Sequence, residues 1–202
     1  MIKNIIFDFG DIFINLDKQV VFKAFQDQGI SALPARFYTL NEEFEVGKIT
    51  PKEFTSQLQS DFKDLSINEI TAIWNSMLLD FPEYRLNFIE ELAGREKHRL
   101  FLLSNTNALH IPHVAETMGM DRFNRFKNSF EQFYLSHEIK LRKPNKEVYQ
   151  FVLDQNDLIP EETFFVDDTL ENTEAAAKLG IKTWNLQVGK EDITELKTKL
   201  KC

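Results

Sequence analysis

Four short pieces of this chain put polar ligand groups where an aliphatic run gives out. In Ile5-Ile6-Phe7-Asp8-Phe9-Gly10-Asp11 a carboxylate ends the run, and Gly10 lets backbone come close to a ligand. Leu102-Leu103-Ser104-Asn105-Thr106-Asn107 offers a hydroxyl and backbone amides in the same setting, and Arg142-Lys143-Pro144 fixes a cation just before a helix that proline helps to start. Phe164-Phe165-Val166-Asp167-Asp168 ends in adjacent carboxylates, with Asn172 one helical turn beyond Asp168. An Asp after an apolar run is commonly a helix cap or turn residue. The adjacent pair is harder to treat that way, because like charges held at a buried strand end raise each other's pKa unless a cation is bound. Carboxylate oxygens, a backbone carbonyl and waters are the ligand set of Mg²⁺, which prefers to bridge to a substrate phosphate. Lys143 and Ser104 with its neighbouring amides would complete a phosphate cradle.

The elements that must position these groups follow from the apolar pattern. Short runs without polar alternation at 5–7, 100–103, 133–135, 164–166 and 183–186 suit strands buried on both faces of a parallel sheet. Helical stretches at 110–118, 145–155, 170–179 and 193–200 alternate with the later strands, which predicts an α/β fold. In such a sheet, ligands bind at the carboxyl ends of the strands, where all four pieces lie. Residues 17–93 break the rhythm with helix signals and no convincing strand. Thr50-Pro51-Lys52-Glu53 and Ser66-Ile67-Asn68-Glu69 are capping boxes, and Gly29, Gly47 and Gly94 stand where helix C-terminal caps belong. The expectation is a helical insert between the first strand and the rest of the sheet. The 19 Phe, including Phe22 and Phe25, read as core packing.

Composition bounds the function. With 202 residues, 43% hydrophobic and 28% charged, the chain can bury its own core without disulfides or metals. No apolar run approaches the ~20 residues of a membrane helix. The acidic turn at Asp8 precludes a signal-peptide core, and the one cysteine is Cys202, so a cytoplasmic protein is expected, with no membrane partner. The net charge of −8, without a basic block, excludes nucleic acid as an expected partner. His110 and His113 could share a helix face, but Pro112 lies between them and no third zinc ligand is near. His98 is expected to be exposed, while His137 lies close enough to the third strand end to approach the site.

The order Asp8, Ser104, Lys143, Asp167-Asp168 resembles the four motifs of the haloacid dehalogenase superfamily along the whole chain. Phe7-Asp8-Phe9-Gly10, Leu103-Ser104-Asn105-Thr106-Asn107, Leu141-Arg142-Lys143-Pro144 and Phe165-Val166-Asp167-Asp168 with Asn172 look like its glucose-1-phosphate phosphatase branch. The segment Phe44-Glu45-Val46-Gly47-Lys48-Ile49-Thr50-Pro51-Lys52-Glu53-Phe54 is similar to that branch's helical cap. The resemblance implies a Rossmann-like parallel-sheet core at 1–16 and 94–202 and a small α-helical cap at 17–93. It further implies a Mg²⁺-dependent phosphatase acting on a small phosphorylated metabolite, a sugar phosphate above all, with Asp8 attacking phosphorus and water hydrolysing the aspartyl-phosphate. Mg²⁺ would be held by Asp8, the Gly10 carbonyl and Asp168, with Asp167 nearby or bound through water, and Asn172 would orient that shell. Ser104 and the Asn105 amide would bind phosphate oxygens, and Lys143 would neutralise Asp8 and the transferring group.

Two positions depart from the pattern. Most phosphatases of the superfamily carry an acid/base Asp two residues after the nucleophile, where this chain has Gly10. Asp11 either supplies that acid or is a turn residue. Lys140 stands where a glycine is expected before Arg142-Lys143-Pro144. Two rival readings share the fold: a dehalogenase-like hydrolase, which would need no metal and so leaves the Asp167-Asp168 pair unexplained, and a non-catalytic phosphate-ligand-binding protein on a degenerate phosphatase fold. A signalling receiver domain would carry its acidic pair at the first strand, whereas here it comes at the fourth.

Overall fold

Five strands, β1 (Asn4–Phe7), β2 (Arg99–Ser104), β3 (Gln132–Leu135), β4 (Thr163–Asp167) and β5 (Lys182–Asn185), form one all-parallel sheet in the order β3-β2-β1-β4-β5. The structure is a computed structural model that describes residues 1–28 and 36–200. Each expected strand lies within a residue or two of its position, because a parallel strand covered on both faces must be apolar throughout. β1 shows this most clearly: Ile5 and Phe7 enter one core cluster, Ile6 enters the other, and all three are fully buried. Truncating Phe7 to Ala would cost about 3–5 kcal/mol by transfer and cavity terms. The register pairs Phe7 with Leu102 on one side and Val166 on the other, so chain leaving β1 emerges between the ends of β2 and β4. The strand order reverses about β1, making this the switch point at which open α/β sheets hold ligands.

Between β1 and β2 lie α1 (Val20–Asp27), α2 (Arg36–Glu45), α3 (Pro51–Asp61), α4 (Ile67–Asn75) and α5 (Glu83–Gly94). α6 (His110–Met118) and α7 (Met120–Asn128) connect β2 to β3. α8 (Ser136–Ile139) and α9 (Lys146–Gln155) precede β4, α10 (Leu170–Ala177) precedes β5, and α11 (Leu196–Lys199) follows it. Both capping boxes form: Glu53 N–H donates to Thr50 Oγ1 at 3.2 Å while Thr50 N–H donates to Glu53 Oε2 at 2.8 Å, and Ser66 with Glu69 does the same. Gly47, at φ +58°, ends α2 with its N–H on the Phe44 carbonyl and that of Lys48 on the Glu43 carbonyl, a Schellman closure that only a left-handed residue allows. Gly94 does not cap α5; it is the last helical residue, and Glu96 takes the left-handed position instead. Gly29 lies outside the described residues.

The insert carries its own core. Phe25, Phe44, Phe54, Leu58 and Ile70 are buried in a cluster that α1 to α4 share, with the Phe44 and Phe54 rings stacked at 4.3 Å. Phe22 does not join it and is 39% exposed, because α1 turns Val21 and Phe25, one helical turn apart, toward the cluster. α5 behaves differently from its neighbours: Leu86, Ile89 and Leu92 pack into the cluster formed by Phe7, Phe13 and Phe126 beneath the sheet. Among the described residues no helix is long and apolar enough to cross a membrane.

Candidate active site

At the switch point, strand ends place side chains that loops alone could not fix. Asp8 follows β1, with its N–H donating to the Val166 carbonyl at 2.9 Å, and Asp167 is the last residue of β4. Between them lies the ammonium of Lys143, only 1% exposed, 2.8 Å from Asp8 Oδ1 and 2.6 Å from Asp167 Oδ2. Asp167 is fully buried and spends its lone pairs inside the protein, accepting from Thr169 N–H at 2.8 Å and from Asn172 Nδ2 at 3.0 Å on both oxygens. It orients Lys143 rather than facing the cavity. Tyr149 hydroxyl donates to the Asn172 carbonyl at 2.9 Å and so fixes the start of α10 beneath it.

Lys143 reaches this place because Asn105 holds its backbone. Asn105 Oδ1 accepts from Lys143 N–H and Asn105 Nδ2 donates to the Lys143 carbonyl, both at 2.9 Å. Ser136 ties the same loop to α8, accepting from Thr106 N–H and donating to the Thr106 carbonyl. Lys140, where a glycine was expected, adopts the left-handed conformation that glycine would supply, at φ +61°. Its ammonium donates to the Gly47 carbonyl at the end of α2.

A second cation faces Asp168. Lys18 Nζ lies 2.7 Å from Asp168 Oδ2 and 2.9 Å from Asp11 Oδ2, while Asp11 Oδ1 accepts from Leu16 N–H at 3.1 Å. Asp11, itself left-handed at φ +55°, closes the turn after Gly10 through Oδ1 and meets Lys18 through Oδ2. Four carboxylates here meet only two ammoniums. Burial pushes the Asp8 carboxyl up to about 7, with the neighbouring Asp167 opposing Lys143. Lys143, which burial alone would depress, is raised by Asp167 and Asp8. Oxygens of Asp8, Asp167 and Asp168 lie within 4.8 Å of one another, the one such metal-ligating cluster among the described residues. An all-oxygen set with more carboxylates than cations around it fits Mg²⁺.

A cavity of about 290 Å³ opens over Asp8, Lys143, Asp168 and Asn172. It shares Gly10, Leu16, Glu45, Met77 and Asn105 with a second cavity of about 130 Å³ that Ser104 and the insert's Trp74 help to line. Of the sequence-derived residues, Asp8, Gly10, Asn105, Lys143, Asp168 and Asn172 line the first cavity and Ser104 the second, while Asp167 lines neither. The histidines do not supply a metal site. His110 is buried, with Nδ1 3.2 Å from Asn107 Nδ2 and Nε2 3.3 Å from the Trp74 carbonyl, and burial lowers its pKa to about 4. His137 is half-buried on α8 and lines neither cavity, and His98 is half-buried before β2 rather than exposed.

A family model of haloacid dehalogenase-like hydrolases matches residues 5–186 of this chain. The chain belongs to that family. It is 29% identical over 203 residues to the D-ribitol-5-phosphate phosphatase of Bacteroides thetaiotaomicron, covering 97% of both chains. The sesquiterpene phosphatase astK of Aspergillus oryzae is 30% identical over 163 residues, 80% of this chain and 79% of that one. A haloacid dehalogenase family enzyme of Bacteroides thetaiotaomicron, solved as a magnesium complex, superposes with a TM-score of 0.87 at 36% identity over 97% of this chain and 98% of that one. The same enzyme is also known as a complex with magnesium and inorganic phosphate, with a TM-score of 0.81, 34% identity and coverage of 95% and 97%.

Several residues of this hydrolase site escape sequence reasoning. Lys18 sits in a polar stretch with no motif around it, and its partners are 7 and 150 positions away. Glu45 and Arg142 lie within segments that sequence singled out, but their pairing at 3.0 Å joins α2 to the loop before Lys143 and exists only once the insert is folded over the sheet.

Proposed function

We propose that this hydrolase is a Mg²⁺-dependent phosphatase of small phosphate monoesters, sugar or polyol phosphates, acting through an aspartyl-phosphate at Asp8. The observation that carries the reading is the buried Lys143 bridging Asp8 and Asp167 at the mouth of the central strand, where carboxylates outnumber ammoniums. Phosphatases among its relatives support the reaction class, and D-ribitol-5-phosphate in one of their names supports the substrate class.

Asp8 Oδ1 is held by Lys143, which leaves Oδ2 to attack phosphorus in line with the departing oxygen. The bond from phosphorus to the leaving oxygen breaks as the bond to Asp8 forms, and water then cleaves the acyl phosphate to inorganic phosphate and free Asp8. Lys143 stabilises the anionic nucleophile and the equatorial oxygens of the transferring group. Ser104 Oγ and the Asn105 amide bind phosphate oxygens on the opposite wall. Asp8, Asp168 and the Gly10 carbonyl would hold Mg²⁺, which offsets the repulsion between nucleophile and phosphate, while Asp167 and Asn172 keep that array in place. The cap is α1 to α4, latched over the site by Arg142 with Glu42 and Glu45 and by Lys140 with Gly47.

Purified protein with Mg²⁺ should hydrolyse p-nitrophenyl phosphate, and chelator should reduce the rate at least about 100-fold. Full activity in chelator would contradict the metal-dependent reading.

A further inference from the structure

The stretch 136–143 lies between the sheet layer and the cap, and Lys143 ends it. On the sheet side Ser136 exchanges hydrogen bonds with the Thr106 backbone, and Asn105 clamps the Lys143 N–H and carbonyl. On the cap side the same stretch meets the end of α2 at three places. The His137 carbonyl faces Gly47, where a Cβ would come within 2.2 Å of its oxygen, so the two backbones approach with no room for a side chain. Lys140, left-handed at φ +61°, donates to the Gly47 carbonyl. Arg142 donates to Glu45 Oε2 through Nε at 3.1 Å and Nη2 at 3.0 Å, and to Glu42 Oε1 through Nη1 at 2.9 Å. Glu42 and Glu45 stand at i and i+3 of α2 and so share the face that takes the guanidinium. Glu45 is fixed in turn by Asn41, whose Nδ2 donates to Oε1 at 3.2 Å. Arg142 and Glu42 line neither cavity.

We propose that Arg142 is a positioning residue for Lys143: cap helix α2, through Glu42 and Glu45, holds the neighbour of the buried ammonium, so that docking of α2 and assembly of the Asp8–Lys143–Asp167 array are one event. The inference rests on the phosphatase reading above and adds to it a route by which the cap acts on the nucleophile without touching substrate. Lys143 is 1% exposed, and an ammonium so buried is stabilised only by carboxylates at hydrogen-bond distance, here 2.8 and 2.6 Å. The Asn105 clamp attaches the Lys143 backbone at a single side chain, about which the segment can pivot. Arg142 supplies a second attachment on the cap, and its planar fork, held by two carboxylates, resists rotation better than a single ammonium would. Releasing that attachment lets Lys143 drift, and a misplacement of about 1 Å at a reacting group costs up to about 100-fold in rate.

The test follows the Lys143 ammonium directly, by NMR of ¹⁵N-labelled full-length protein with Mg²⁺, its signal identified by its loss in Lys143→Arg. Wild type should show a slowly exchanging ammonium. Arg142→Met should broaden or lose that signal and lower kcat for p-nitrophenyl phosphate by at least about tenfold, with KM changed by less than about threefold. Arg142→Lys, which keeps the charge but not the fork, should fall between the two in both readings. Each variant's fold is checked by circular dichroism, and if Arg142→Met unfolds, Arg142→Lys decides. Wild-type turnover with an ammonium signal that is absent from wild type or unchanged in the variant, or with kcat of the variant within about twofold of wild type, would overturn the positioning role and leave the phosphatase standing. No wild-type turnover of p-nitrophenyl phosphate would overturn both.

Discussion

At the mouth of the central strand, the residue that governs how this site works is one with no side chain. A Cβ at Gly10 would lie 2.7 Å from Leu16 Cδ1, so the place where related phosphatases carry a proton donor is filled here by an apolar branch. Asp11, the nearest substitute by sequence, is held by Lys18 and the Leu16 N–H and lines neither cavity. In the proposed reaction, a leaving oxygen with no donor positioned at residue 10 would depend on its own acidity. We expect kcat/KM for p-nitrophenyl phosphate to exceed that for butyl phosphate by at least about 100-fold, read from initial rates at saturating Mg²⁺. Comparable rates on the two esters would show that some side chain protonates the leaving group. Asp8, Lys143 and the Asp167-Asp168 pair were legible from sequence because each ends an apolar run that had to be a buried strand or precedes a proline-started helix. Two things were not legible: that Asp167 turns inward on Lys143, 24 residues away, and that Lys18 covers Asp168 from 150 residues away.

Helices fix what the strand ends cannot, and α6 illustrates how. Asn107 Oδ1 accepts from the N–H groups of Leu109 and His110, both at 3.0 Å, while its Nδ2 meets His110 Nδ1. That arrangement makes His110 Nδ1 an acceptor and places the ring proton on Nε2, toward the Trp74 carbonyl of α4. Protonation would set a donor against a donor at Asn107, and burial opposes the charge as well. An unfolded histidine takes a proton below about 6.5, the folded one only below about 4, so between these values the unfolded state holds more protons and stability falls as pH falls. Urea denaturation should find His110→Gln less stable than wild type at pH 7.5 by about 1–2 kcal/mol. By pH 4.5 the order should reverse, because wild type alone loses about 2.5 kcal/mol through its titrating group. A deficit independent of pH would place the His110 ring in water. The two capping boxes that started α3 and α4 were readable because a cap is a local four-residue motif. Gly94 misled for the complementary reason: glycine is compatible with a helix end without enforcing it, and Glu96 took the left-handed turn.

Across the whole molecule, an α/β sheet and a helical insert meet along one seam that contains the chemistry. Alternation of apolar runs with helices gave the sheet's composition and its place at both ends of the chain, because burial on two faces leaves a strong pattern. The seam itself was invisible: Glu42, Glu45 and Gly47 of the insert meet Arg142 and Lys140 of the sheet layer, and amphipathic pattern alone does not say which helix end faces which loop. Helix α5 shows the same limit, lying within the insert by sequence while burying Leu86, Ile89 and Leu92 beneath the sheet. In the proposed mechanism this architecture serves one event at its centre, the transfer of a phosphoryl group to Asp8. The most direct measurement is mass spectrometry of the protein quenched in acid during turnover of p-nitrophenyl phosphate with Mg²⁺. The peptide containing Asp8 should carry one phosphoryl group that base releases, and Asp8→Asn should carry none and retain less than about a thousandth of the rate. Sustained turnover with the Asp8 peptide unmodified, or a phosphoryl group on another residue, would contradict the account.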